Sequence, residues 1–192
     1  MQNSFPIIIY GAGGHGKVIA ETLSFMNGVA IAFWDQNFAE TESEISVYPP
    51  FKGPPGKVIL GMGNLLTRKQ ILEEKGSLID FIPSMIAHPT AFISPSAIIG
   101  IGTWIGPKTI VHTRVNIGEH CIINSGAIVD HDVRIGLNVH IAPGATLCGN
   151  VSIGDHSFVG ANAVITPGVK IGSHVFIKAG SVVKEDVLDG EP

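Results

Sequence analysis

From Ile93 onward the apolar positions recur every sixth residue. Each hexad opens on an aliphatic side chain, Ile93, Ile99, Ile105, Val111, Ile117 and so on to Val183, through sixteen hexads without a slip of phase. The fifth residue is small or β-branched throughout, from Ala97 and Thr103 to Ser181 and Val187. A period of six fits neither an amphipathic helix nor an alternating strand. It fits a hexapeptide parallel β-helix, in which each hexad is one short strand and a turn. Three hexads make one triangular coil, and a coil buries its apolar face only by stacking on its neighbours. Residues eighteen apart then lie one above the other, roughly 4.8 Å apart. Gly100, Gly118, Gly136, Gly154 and Gly172 form one such column at the second position, where glycine is expected to serve a repeated corner with φ > 0. A β-sandwich would reset the phase at every loop. Periodicity does not set the hand of the coil, since most parallel crossovers are right-handed.

The first part of the chain has a different rhythm. Ile7 to Tyr10 reads as a buried strand. It runs into Gly11-Ala12-Gly13-Gly14-His15-Gly16, followed by helical spacing at Val18, Ile19, Thr22 and Leu23. Strand, glycine loop and helix leave backbone N–H groups at a helix N-terminus, where an anionic phosphate is stabilised. A second strand, Ala30 to Trp34, ends at Asp35, and the pattern matches a dinucleotide fingerprint with its ribose-binding acid. The unit is nevertheless too short for one. A third strand at Val58 to Leu60, a helix to about Lys75 and a last strand at Leu78 to Phe81 amount to one mononucleotide-binding half. A nucleoside diphosphate is therefore expected, not a nicotinamide dinucleotide. The acidic and proline-rich stretch from Asn37 to Gly56 is expected to be a solvated loop without chemistry, and Ile82 to Pro95, with His88, a junction. Two domains follow: a small α/β Rossmann-like domain over 1–82 and the β-helix over 83–192.

Composition narrows the partners. With a net charge of −4 and 15% charged residues, the chain offers no nucleic-acid face and no polybasic membrane patch. No signal peptide is expected, and no apolar run is long enough to span a bilayer. Cys121 and Cys148 do not stack, and are expected as buried thiols in a reducing cytoplasm. Hexad position sorts the histidines. His120, His156 and His174, at the fourth position, are expected on the surface, and His112 is placed to bond Asp130. His131, bracketed by Asp130 and Asp132, is the candidate for proton transfer: an imidazole accepts a proton near neutral pH, and a carboxylate on its other nitrogen fixes the tautomer. Spacing leaves open which acid holds the ring. No two histidines have the ligand spacing of the hexapeptide carbonic anhydrases, and no metal site is expected.

Taken with Gly63-Asn64 and Arg68, His88-Pro89-Thr90, Ser94-Pro95-Ser96-Ala97 and Asn124 to Asp132, the whole chain resembles the PglD/NeuD-type sugar acyltransferases. That resemblance implies a left-handed parallel β-helix and a homotrimer with active sites between subunits. It implies acetyl-CoA as co-substrate, no permanently bound cofactor, and transfer of the acetyl group to the amine, at C4, of a UDP-linked sugar. By position, His131 matches the general base and Asp132 its acid. Gly13, Gly14 and His15 match diphosphate or sugar contacts, and Asp35, Gln36 and Gly63 nucleotide contacts. His140, Gly149, Ala161 and Ala179 match positions that touch acetyl-CoA. Two features depart from the family: the acid after His131 is Asp where Glu is frequent, and the chain ends at Gly190-Glu191-Pro192, ahead of the Gly-x-Pro-Ala-Lys tail common there. Acetylation of a sialic acid or other sugar hydroxyl is the alternative within the same class. A non-catalytic nucleotide-sensing scaffold is the alternative outside it.

Overall fold

Ile7, Ile8, Ile9 and Tyr10 form β1 (Ile7–Tyr10), an inner strand of an all-parallel sheet in the computed structural model. The structure describes residues 5–26, 28–37 and 44–190, and the chain divides into two units after Pro83. In the first unit β1 lies between β2 (Ile31–Trp34) and β4 (Lys57–Leu60), and β3 (Val47–Tyr48) pairs with the outer side of β2. Continuous apolar runs need cover on both faces. Ile8, Tyr10, Trp34 and Leu60 share one face with Ile71 and Leu72 of α2 (Leu65–Lys75). α1 (Gly14–Ser24) packs on β1 through the fully buried Ile19 and Leu23. Close approach of helix to strand requires Gly16, because a Cβ there would collide with the Gly11 carbonyl oxygen.

Two expectations fail in this unit. The stretch from Asn37 to Gly56 is not all solvated loop. Val47–Tyr48 extends the sheet, and Phe51 packs its ring 5.1 Å from Trp34 and 6.2 Å from Tyr10; residues 38–43, with Glu40 and Glu42, lie outside the described residues. Nor do Leu78 to Phe81 make a strand. Gly76–Leu78 is a single 3₁₀ turn and only Phe81 bridges Val58, since Leu78 faces water and has no face to bury.

The second unit is a three-sided parallel solenoid that starts one hexad earlier than the periodicity indicates, so part of the expected junction is its first rung. β5 (Ile86–Ala87) pairs with Trp104–Ile105. From β5 on, seventeen two-residue strands are dealt in turn to three sheets of six, six and five strands. Every strand but the last of each sheet pairs with the one eighteen residues on, as Ile122 with His140, Ile128 with Thr146 and Asn116 with Arg134. The first and fifth positions of the hexads point inward together. Ile105, Val111, Ile123, Val129 and Ile141 share one core with Val115, Cys121, Ala127, Val133 and Ala145.

The corners overturn the role expected for the glycine column. Gly100, Gly118, Gly136, Gly154 and Gly172 do not adopt positive φ. They are glycine for want of room: a Cβ would lie 2.6 Å from Glu119 N at Gly100, 2.5 Å from Gly136 O at Gly118 and 2.5 Å from Ser173 N at Gly154. The left-handed corner sits two residues later. Every fourth position from Gly102 to Gly180 has positive φ, and nine of these fourteen residues are not glycine. Asn, Asp and His, which tolerate this region best, fill seven of the nine. Backbone bonds between coils hold the conformation, as in Asp132 N–H to Thr113 O at 3.1 Å and Asn150 N–H to His131 O at 3.0 Å. His120 is not at the surface as expected, being only 4% exposed. Its ring fills the space over Gly102, where a Cβ would strike His120 Nδ1. His174 is exposed and His156 half-buried, with their rings stacked 5.1 Å apart.

Gly118→Ala is expected to lower stability by about 1–3 kcal/mol through overpacking. Gly126→Asn, at φ 68° with no atom within 4 Å of an added Cβ, should leave the unfolding midpoint nearly unchanged. Chemical denaturation of the two variants checks the contrast.

Candidate functional site

Parallel sheets of this kind open a crevice beyond the carboxyl ends of their strands. Here β1, β2 and β4 end at Tyr10, Trp34 and Leu60, and beyond them lies a cavity of about 500 Å³. Gly13, Gly14, His15, Asp35, Gln36 and Gly63, singled out separately in the sequence, all line it. Gly13 is the N-cap of α1 and supplies no capping side chain, and no acidic residue occupies the first turn. A Cβ at Gly13 or Gly14 would meet nothing within 4 Å. The fold needs glycine at Gly16, and leaves open space at Gly13 and Gly14 through which a ligand can approach the backbone.

Asp35 serves the loop as well as the cavity. Its Oδ2 accepts from Ala12 N–H at 2.7 Å and its Oδ1 from Asn37 N–H at 2.9 Å. Burial, and then the Asp35 charge, push the Tyr10 phenol up, so it stays protonated. On the third side Asn64 caps α2, its Oδ1 accepting from Thr67 N–H at 2.9 Å. The buried Arg68 guanidinium donates to Leu60 O at 3.3 Å and Met62 O at 3.4 Å, holding the turn that carries Gly63. Sequence reasoning missed Trp34, Asn37 and Gln70 among the lining residues. Only the strand-end position of Trp34 gave a signal.

In the second unit the chemistry lies at the corner after the strand Ile128–Val129. His131 stands at the third hexad position and Asp132 at the fourth, with φ 61°. At that left-handed turn two neighbours in sequence face each other, and His131 Nδ1 lies 2.8 Å from Asp132 Oδ2. Asp130 takes no part with the ring: its Oδ1 accepts from the His131 backbone N–H at 2.7 Å. Nor does it bond His112, whose ring instead meets the Phe92 ring at 6.2 Å. The Arg114 guanidinium, one coil below, reaches the same carboxylate, with Nε 2.6 Å from Oδ1 and Nη2 2.8 Å from Oδ2. Arg114 first and His131 second hold the Asp132 carboxyl far below the usual carboxylate range. Gly149, one coil above, abuts the imidazole: a Cβ there would come 2.5 Å from Cε1 and 2.6 Å from Nε2 of His131.

His140 is elsewhere on the prism. It sits on the sheet that begins with β5, 3.3 Å from Asn124 Nδ2 through its Nε2 and edge-on to Phe158 at 5.0 Å. Ala161 and Ala179 stack at the corner after that sheet, where Gly180 N–H bonds Ala161 O at 2.8 Å. The single chain thus brings His131, Asp132 and Gly149 together, and puts His140, Ala161 and Ala179 one sheet away. Cys121 is buried, whereas Cys148, beside Gly149, is half-exposed and not the buried thiol expected. Among the described residues no cluster of three or more His, Cys, Asp or Glu could hold a metal ion, and no helix is long and apolar enough to cross a membrane.

Comparison with known proteins places this architecture. Residues 6–75 match the PglD N-terminal domain, and residues 114–149, 132–167 and 150–185 match the bacterial transferase hexapeptide (six repeats). The acetyltransferase domain of PglB from Neisseria gonorrhoeae, solved with acetyl coenzyme A, is 34% identical with a TM-score of 0.89, over 98% of this chain and 95% of that one. The chain belongs to the PglD/NeuD-type hexapeptide-repeat sugar acetyltransferases. The left hand of the β-helix follows from that membership. A histidine variant of perosamine N-acetyltransferase from Caulobacter crescentus, solved with CoA and GDP-perosamine, is 30% identical at a TM-score of 0.88, over 97% of this chain and 93% of that one. UDP-N-acetylbacillosamine N-acetyltransferase of Bacillus subtilis is 37% identical over 112 residues, 52% of this chain and 50% of that protein. The match thus spans half the length of that curated relative.

The depressed carboxyl gives a signed expectation. A group whose value is lower in the folded state stabilises the fold above the ordinary carboxylate range, and this contribution is lost as pH falls through the depressed value. The carboxyl-carbon NMR signal of Asp132 should therefore remain that of a carboxylate through about pH 4, where exposed aspartates titrate. A midpoint near that of an ordinary aspartate would show that the Arg114 and His131 bonds are absent in solution.

Proposed function

We propose that the protein transfers the acetyl group of acetyl-CoA to the C4 amine of a UDP-linked amino sugar, with His131 as general base. The observation that carries this reading is the His131–Asp132 contact of 2.8 Å with the far side of the ring against Gly149. An ionised carboxylate is an acceptor only, so it keeps the imidazole proton on Nδ1 and leaves the Nε2 lone pair free. Nε2 takes a proton from the amine as its nitrogen attacks the thioester carbonyl. A C–N bond forms, the carbonyl oxygen becomes an oxyanion, and collapse breaks the C–S bond. The proton on His131 is then available to the departing thiolate. Gly149 N–H, which bonds no other group among the described residues, is our donor to the oxyanion. No serine or cysteine bonds the His131 ring among the described residues, which favours direct transfer over an acyl-enzyme.

Residues 1–82 supply the sugar nucleotide in this reading, and residues 83–192 the transfer. The N-terminus of α1, where Gly13 provides no side-chain cap, turns the backbone of Gly13, Gly14 and His15 to the diphosphate, and Gln36 and Gly63 face the nucleoside. Asp35 meets it with the lone pairs that Ala12 and Asn37 leave free. His140, Ala161 and Ala179 lie one sheet away from His131, which fits a thioester lying between two copies, each giving one side. The sheet from Phe92–Ile93 to Val182–Val183 carries an outward row of Phe92, Ile110, Ile128, Thr146, Val164 and Val182, apolar at all but Thr146, with Phe92 55% and Val182 59% exposed. Exposed apolar rows of this kind mark association surfaces, and a homotrimer is the assembly we propose. Two of the relatives are named N-acetyltransferases, one for a UDP-linked and one for a GDP-linked sugar, which favours an amine over a hydroxyl. Nucleotide sugar, acetyl-CoA and two free thiols are consistent with the cytoplasm.

His131→Ala is expected to lower kcat by on the order of 10²–10⁴-fold with acetyl-CoA affinity unchanged; turnover near the wild-type rate would sink the assignment. A thermal-shift screen of UDP-, GDP- and dTDP-linked 4-amino sugars with acetyl-CoA identifies the nucleotide of the acceptor, since a ligand of the native state raises its melting point. The UDP sugar should give the largest shift, and a larger one from the GDP sugar would overturn the choice of uridine.

A further inference from the structure

Asp132 makes three bonds with two oxygens. Oδ1 accepts from Arg114 Nε at 2.6 Å, and Oδ2 is shared between Arg114 Nη2 and His131 Nδ1, each at 2.8 Å. An isolated surface ion pair contributes little, and Arg114 is 66% exposed. Three details distinguish this pair. The fork is bidentate, which fixes the plane of the carboxylate as well as its position. The fixed carboxylate is the one that holds His131. And Arg114 is itself set by the coil below: Ser96 Oγ accepts from its backbone N–H at 3.1 Å and lies 2.9 Å from Thr113 Oγ1. Arg114 and Asp132 both occupy left-handed fourth positions, at φ 56° and 61°, eighteen residues apart. Their side chains therefore leave the corner one above the other.

We infer that Arg114 is a positioning residue for the transfer reaction, locking the Asp132 carboxylate so that Oδ2 faces His131 Nδ1. Aspartate's short side chain can turn its carboxylate plane about one bond, and a free carboxylate at this corner would face solvent as readily as the ring. The guanidinium fork removes that freedom. It also keeps Asp132 an acceptor, so the ring proton stays on Nδ1 and Nε2 remains the basic nitrogen. Arg114 thus acts on the reaction through two other side chains, without touching substrate. The inference rests on His131 being the base, and its test separates the two.

In the full-length protein, Arg114→Ala should lower kcat by about 10- to 100-fold, leaving KM for both substrates within about twofold. Added guanidinium ion should restore part of kcat. In a His131→Ala background the same change should cost nothing further, because residues acting as a unit are not additive. Arg114→Lys, which keeps the charge and loses the fork, should show the same kcat loss with an unchanged melting temperature. An unchanged kcat in Arg114→Ala, or an equal loss with and without His131, overturns the positioning role. So does a raised KM at constant kcat, which would make Arg114 a substrate contact. Should His131→Ala itself keep full turnover, the general-base reading falls first and this inference with it; a dead His131→Ala beside an unaffected Arg114→Ala removes Arg114 alone.

Discussion

Stacking at eighteen residues governs the second unit. Each short strand is too small to be stable alone, and it persists because its backbone bonds to the coils above and below, as in Ile122 N–H to Val139 O at 2.9 Å and Ile128 N–H to Ala145 O at 2.9 Å. That spacing leaves little latitude elsewhere. It brings the Gly100 to Gly172 column so close that a methyl group has no place. It also makes each corner from Gly102 to Gly180 turn through the left-handed region, whatever residue stands there.

The candidate chemistry is a by-product of those corners. Along an ordinary strand His131 and Asp132 would point to opposite faces. The left-handed turn at Asp132 folds them together, and the coils on either side complete the arrangement. Arg114 and Thr113 lie below; Gly149 lies above with just the room an imidazole ring needs. The contributors come from three successive coils, with Arg114 eighteen residues before Asp132 and Gly149 eighteen after His131. A single substitution in this corner therefore acts on three layers at once, and its effects are coupled.

Glycine has a different logic in the first unit. Gly16 and Gly61 are forced by packing, since a side chain at either would strike the neighbouring strand or loop. Gly13 and Gly14 are forced by nothing within the protein. That contrast, more than the spacing of the motif, points to a ligand at the N-terminus of α1. Asp35 links the loop to β2 by accepting from Ala12 N–H, so the cavity is shaped without a ligand. The buried Arg68 does the same for the turn after β4.

Periodicity alone determined the solenoid, its inward positions and its phase, because every coil repeats one steric problem and solves it with one residue pattern. The glycine loop and the acid at the end of β2 were legible as local features of the first unit, and the family resemblance supplied the rest of the six positions that line its cavity. What lay beyond it were contacts set by vertical neighbours and by backbone handedness. Pairing of His131 with Asp132 in preference to Asp130, the room left by Gly149, and the fourth-position corners all arise between coils. Arg114 was within reach of the rule that residues eighteen apart stack, yet only the tertiary structure decided that its fork closes on Asp132, because the column fixes which side chains are neighbours and not how they turn.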